Sequence, residues 1–131
     1  MSILVAFIVP NAFAQTDTLT VMSYNVLYYG DRPACQGPHT TYHNYLKTII
    51  EDTKPDLVIS DWDMPILTGI DVLMCMRDDP DLCTVPFILN TGHLGQERWK
   101  EAIKCGVTEF LFKPFSFQDF KSSVLLALDL A

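Results

Sequence analysis

Leu57-Val58-Ile59-Ser60-Asp61-Trp62-Asp63-Met64-Pro65 passes from an unbroken apolar run into a polar turn closed by proline. A short continuous apolar run of this kind reads as a strand buried on both faces, and Asp61 stands where that strand gives way to a loop. Open α/β sheets place their chemistry at the carboxyl ends of strands. Two further side chains occupy equivalent places. Thr91 closes Val85-Pro86-Phe87-Ile88-Leu89-Asn90, and Lys113-Pro114-Phe115 closes Glu109-Phe110-Leu111-Phe112. Parallel strands share one carboxyl edge, so a carboxylate, a hydroxyl and an ammonium far apart in sequence are expected to converge. A carboxylate attacks phosphorus to give an acyl phosphate, a hydroxyl hydrogen-bonds the transferred group, and an ammonium neutralises its charge.

Periodicity places these residues in an alternating pattern. Strands are expected at 3–9, 18–24, 56–60, 85–90 and 108–112, with helices over about 41–52, 68–77, 95–105 and from about 117 onward. Gly106 suits the end of the third helix, and Ser116 with Asp119 has capping-box spacing at the start of the fourth. Phe117, Phe120, Val124 and Leu128 form the expected buried stripe of that last helix. The pattern argues for a doubly wound, mainly parallel α/β sheet. The gap between 9 and 18 is too short for a helical crossover, so the first two strands can pair only as an antiparallel hairpin. Four parallel strands and one further strand result, and the expected first crossover helix is missing.

From about Lys54 to Leu128 the chain resembles the receiver domain of response regulators, the CheY-like, flavodoxin-like fold of two-component phosphorelays. The resemblance rests on Asp61-Trp62-Asp63-Met64-Pro65 with Gly69 after it, Pro86 leading to Thr91, Gly106 before Phe110, and Lys113-Pro114-Phe115, in matching order and interval. It implies that Asp61 is the phosphoacceptor, Thr91 the switch hydroxyl, Phe110 the aromatic switch residue and Lys113 the phosphate-binding cation. It also implies a cis Lys113-Pro114 bond and a Mg²⁺ ion held by Asp61 and the Asp63 backbone carbonyl. The implied partners are a histidine kinase or phosphotransfer protein, and a downstream protein docking on the face made by the last two helices and the strand between them.

The N-terminal part departs from this family, whose first strand ends in two metal-binding acids. Residues 1–16 contain no acid, and the run Leu19 to Tyr24 ends in Asn25. Leu19 to Leu27, the loop to His39 and the helix after it resemble the opening of secreted exonuclease-endonuclease-phosphatase proteins. That resemblance places Asn25 in a metal and phosphate site, where it offers at most a neutral oxygen. Pro55-Asp56-Leu57 suits both families, and Trp62 stands where the second would supply a metal-binding Glu. The expectation is a chimera of a nuclease-like leader, residues 1–53, and most of a receiver. Residues 1–17 form a signal-like or first-strand segment, and 18–131 a single receiver-like domain whose 18–53 part is atypical. With the acidic pair missing, Mg²⁺ binding is expected to be weak.

Composition narrows the remaining possibilities. A chain of 131 residues with 49% hydrophobic content buries one core. A net charge of −7 argues against nucleic-acid binding, because phosphate backbones are held by Lys and Arg. Cys35, Cys75, Cys83 and Cys105 form no CxxC pair and read as reduced thiols of a cytoplasmic protein. Ala12-Phe13-Ala14 resembles an export cleavage site, yet no Lys or Arg precedes Arg32, and the apolar run is too short to span a bilayer. No membrane association is therefore expected, while export stays open. His39 and His43 stand four apart without a carboxylate between them, so the metalloprotease pattern fails. His93 lies beside the proposed site.

Three functions follow in order. The first is a phosphoacceptor module rather than a turnover enzyme, and the second a pseudo-receiver that binds proteins but is impaired in Mg²⁺ and phosphoryl chemistry. The third is a remnant of a metal-dependent phosphodiesterase, which would retain only Asn25.

Overall fold

A computed structural model describes residues 3–10, 16–24, 48–64, 67–92 and 95–129. The strands are β1 (Ile3–Pro10), β2 (Thr16–Tyr24), β3 (Leu57–Asp61), β4 (Phe87–Thr91) and β5 (Glu109–Phe112). The helices are α1 (residues 48–53), α2 (Gly69–Asp78), α3 (Gln96–Lys104) and α4 (Phe117–Ala127). They form one five-stranded sheet in the order β1-β2-β3-β4-β5. β2 through β5 run parallel, and β1 pairs antiparallel to β2, as the short gap between them required.

Register between β2 and β3 is pinned by one side chain. Asp56 accepts the Thr20 N–H at 2.8 Å while its own N–H donates to the Thr20 carbonyl at 2.8 Å. This extends the pairing one step beyond the Val21↔Leu57 register. The Pro-Asp-apolar entry seen in the sequence is thus a strand clamp.

Alternation along the central strands splits the core between the two sheet faces. Val58, Phe87, Leu89 and Phe110 pack with Ile70, Leu73 and Met76 of α2 and with Ile50 of α1. Val21, Leu57, Ile59, Ile88 and Leu111 pack with Val124 and Ala127 of α4. Every residue of β3 is buried, which explains its continuous apolar run.

Helix ends follow their local chemistry. At α2 the Asp71 N–H donates to Thr68 Oγ1 at 3.2 Å and the Thr68 N–H to Asp71 Oδ2 at 2.7 Å, closing a capping box. Ser116 and Asp119 do the same at α4, and their hydrogen bonds hold the Asp119 carboxyl below its ordinary range. α3 ends where Gly106, at φ 84°, turns the chain so that Gly106 and Val107 N–H groups reach the Ile103 and Ala102 carbonyls.

One expectation needs adjustment, and others fall outside the described residues. Phe117, placed in the buried stripe of α4, is 71% exposed. It is the first helical residue, and the helix meets the sheet only from Phe120 onward. The helix expected at 41–52 is described only from residue 48, so Tyr42, Tyr45 and Leu46 lie outside the described residues, as do Asn25, Cys35, His39, His43 and His93. No helix among the described residues is long and apolar enough to cross a membrane.

Arg77 fastens the opposite edge of the sheet from the candidate site. It donates through Nε and Nη2 to the Gly106 carbonyl at 3.2 and 2.9 Å and through Nη1 to the Val85 carbonyl at 3.0 Å, tying α2 to the starts of β4 and β5. Its partial burial lowers the guanidinium pKa from the ordinary value. Arg77→Ala is expected to cost about 2 kcal/mol in urea unfolding, the scale of lost charge-assisted hydrogen bonds.

Candidate functional site

Backbone hydrogen bonds stitch the carboxyl ends of β3, β4 and β5 together. The Trp62 N–H donates to the Asn90 carbonyl at 2.8 Å, and the Lys113 N–H to the Thr91 carbonyl at 2.8 Å. Asp61 lies opposite Asn90, and Thr91 opposite Phe112, so the three strand ends expected to converge are neighbours.

The side chains complete the arrangement. Lys113 Nζ lies 2.8 Å from Asp61 Oδ1, with the Asp61 side chain 8% exposed and that of Lys113 43% exposed. A nearly buried carboxylate needs such a partner, because desolvating an unpaired charge costs several kcal/mol. The exposed side of Lys113 leaves the ion pair open to an incoming anion. Thr91 is buried at the end of β4, and Lys113-Pro114 is cis.

Gly69 lets α2 reach this edge. A Cβ at Gly69 would meet the Asp61 carbonyl oxygen at 2.5 Å and Leu89 Cδ2 at 2.6 Å, while its N–H donates to the Trp62 carbonyl at 2.9 Å. The backbone oxygen cannot yield without moving Asp61 itself. Gly69→Ala is therefore expected to destabilise the fold by roughly 1–3 kcal/mol, the range for overpacking, and thermal unfolding measures it.

Sequence reasoning missed one participant on the rim. Arg98 of α3 donates through Nη2 to Asp63 Oδ1 at 2.5 Å and through Nη1 to Oδ2 at 3.5 Å. Its Cζ lies 4.8 Å from the Trp62 ring centroid. Hydrogen bonding to Asp63 holds the guanidinium above its ordinary range. The pair is exposed, so it contributes only about 0.2–1 kcal/mol to stability. Nothing in the sequence singles out Arg98, an ordinary cation on a polar helix.

Phe110 is buried in the core, as its aromatic character alone would lead one to expect. It also stacks on Trp99 at 4.3 Å between centroids, and Phe112 lies 6.4 Å from Trp99. Trp99 and Phe112 are 40% and 47% exposed, so this stack reaches the surface.

The donor set for a divalent cation is thin among the described residues. Asp61 supplies one carboxylate, already paired with Lys113, and the Asp63 carboxylate is engaged by Arg98. Ser23 and Tyr24, which end β2 beside β3, add no acid, and no group of three His, Cys, Asp or Glu side chains could hold a metal. Asn90 Oδ1, buried in the strand beside Asp61, has no hydrogen-bond partner among the described residues. Mg²⁺ favours several oxygen ligands, and Asp61 is the carboxylate that the described residues bring to this edge.

A mainly parallel sheet with helices on both faces thus carries an Asp–Lys ion pair and a buried threonine at adjoining strand ends, the layout expected of a receiver. The family model for the response regulator receiver domain matches residues 39–125, and the chain belongs to that family. The match begins upstream of the boundary near 54 that the motifs suggested. The chain is 35% identical over 69 residues to the chemotaxis protein CheY of Pseudomonas aeruginosa, covering 53% of this chain and 56% of that protein. It thus spans about half the length of the curated relatives it matches. The crystal structure of Vibrio cholerae CheY4 superposes with a TM-score of 0.59 at 25% identity, over 62% of this chain and 68% of that one. The receiver domain of the sensor histidine kinase PA1611 of Pseudomonas aeruginosa, solved with a magnesium ion in its active-site cleft, gives a TM-score of 0.58 at 20% identity, over 66% and 71% of the chains.

Proposed function

We propose that this chain is a phosphoacceptor module of a two-component phosphorelay, taking a phosphoryl group on Asp61. The observation that carries the reading is the 2.8 Å pairing of Lys113 with a nearly buried Asp61 at a strand end beside Thr91. An Asp61 carboxylate oxygen attacks phosphorus of a phosphohistidine or small acyl phosphate. The new O–P bond forms as the bond from phosphorus to the donor breaks, and the electron pair leaves with the donor atom. Lys113 offsets the negative charge gathering on the transferred group, and the Thr91 hydroxyl hydrogen-bonds it. Phe110, stacked on Trp99, carries the change toward the surface formed by α3, β5 and α4, where a downstream protein docks. A histidine kinase or phosphotransfer protein supplies the phosphoryl group.

In this reading Asp61 and the Asp63 carbonyl would hold Mg²⁺, weakly for want of a second acid, with Asn25 adding at most a neutral oxygen. A bound Mg²⁺ would neutralise charge between carboxylate and phosphoryl oxygens. The end of β2, which has no acid beside β3, favours a second reading as a protein-binding pseudo-receiver. The phosphodiesterase remnant draws on Asn25 alone. In the phosphoacceptor reading residues 18–131 act as one receiver-like domain, to which residues 1–17 add the edge strand β1. Because the receiver match already crosses Pro55, descent from a nuclease-like protein is confined to the residues before 39, and a genomic locus in which the receiver family extends through them would overturn it.

Lys113→Ala tests the site with the backbone bond to Thr91 kept, at the cost of leaving the Asp61 carboxylate without its cation. Phosphoryl gain from acetyl phosphate, followed by intact mass, is expected to slow at least tenfold, which corresponds to about 1.4 kcal/mol of lost transition-state stabilisation. A rate equal to that of the wild type would remove Lys113 from the chemistry.

A further inference from the structure

Helix α3 is lightly anchored, with Ala102 as its sole buried residue, whereas α2 on the same face buries five. Its placement therefore depends on the contacts of side chains along its edges. Two consecutive residues make them. Arg98 reaches Asp63 and the Trp62 ring, in the two positions directly after Asp61, and Trp99 stacks on Phe110 alongside Phe112. Trp62 is itself fixed, buried and bonded through its backbone to Asn90 and Gly69. A single turn of α3 thus spans from the flank of the acceptor to the exposed aromatic stack.

We propose that Arg98 is a positioning residue, which through Asp63 and Trp62 sets the placement of α3, and with it the Trp99–Phe110–Phe112 stack, according to the negative charge on the acceptor segment. The exposed Arg98–Asp63 pair is too weak to hold the fold and is readily redirected. A phosphoryl group on Asp61 brings a charge of about −1.5 to −2 within two residues of Asp63 and competes for the same guanidinium. This last consequence rests on Asp61 being the acceptor, whereas the resting tie does not.

The test follows the two indole N–H signals of the full chain by nitrogen–proton correlation spectroscopy, assigned with Trp62→Phe and Trp99→Phe. Arg98→Gln and Asp63→Asn are each expected to shift the Trp99 signal in the same direction. The double variant should move it no further, and the charge-exchanged pair Asp63→Arg with Arg98→Asp should return it toward the wild-type position. Arg98→Lys, which keeps the charge but loses the planar fork, should fall between. A shift in Arg98→Gln with none in Asp63→Asn, or strictly additive shifts, overturns the tie. In wild type shown by mass to carry a phosphoryl group, the Trp99 signal should move as it does in Arg98→Gln, and a stationary signal overturns the competition. Failure of the acceptor reading shows separately, as absence of that mass gain, and leaves the resting-state comparison decisive for Arg98.

Discussion

In Asp61→Asn, acetyl phosphate with Mg²⁺ is expected to add no phosphoryl group under conditions in which the wild type gains one. The amide keeps the shape of the side chain and its oxygen can still accept from Lys113, so the fold should survive. It is neutral and far less nucleophilic, and no acyl phosphate forms from it. Beryllofluoride with Mg²⁺, a phosphoryl mimic, should perturb the Thr91 and Phe110 amide signals in wild type and leave them unmoved in the variant. Equal perturbation in both would place the anion elsewhere.

Phosphorylation of the wild type is expected to need far more Mg²⁺ than a receiver with two first-strand acids. Mg²⁺ favours octahedral oxygen coordination, and the described donors amount to one carboxylate shared with Lys113 and the Asp63 carbonyl. β2 takes the place beside β3, and Asn25 follows its last residue. Asn25→Asp would put a charge where the pair is missing and is expected to tighten Mg²⁺ binding on the order of tenfold, about 1.4 kcal/mol. Titration of Mg²⁺ against Trp62 fluorescence in the two forms measures the difference. Tight binding by the wild type, or no gain in Asn25→Asp, would mean that the end of β2 lies away from the acceptor.

Much of this was legible in the residues because it depended on local chemistry. The apolar run before Asp61 gave a strand buried on both faces, and the spacing of Ser116 and Asp119 gave a helix start. The gap between residues 9 and 18, too short for a crossover, led to the β1–β2 hairpin, while the cis Lys113-Pro114 bond followed from the receiver resemblance. Phe117 was misplaced because periodicity fixes which side of a helix is apolar but not where along its length the sheet begins. Arg98 could not be read at all, since its partner lies 35 residues away and only the packing of α3 brings them together. The orphaned Asn90 oxygen was equally hidden, an amide in a strand that otherwise reads as core.

The most direct test of the Asp61 assignment is chemical. An acyl phosphate is a mixed anhydride that borohydride reduces, so wild-type protein treated with a phosphodonor and then with borohydride should carry a reduced aspartate, the alcohol homoserine, located by peptide mass spectrometry. The account predicts reduction at Asp61 and at no other residue. Reduction at a different carboxylate, or a phosphoryl group that survives borohydride intact, would contradict it.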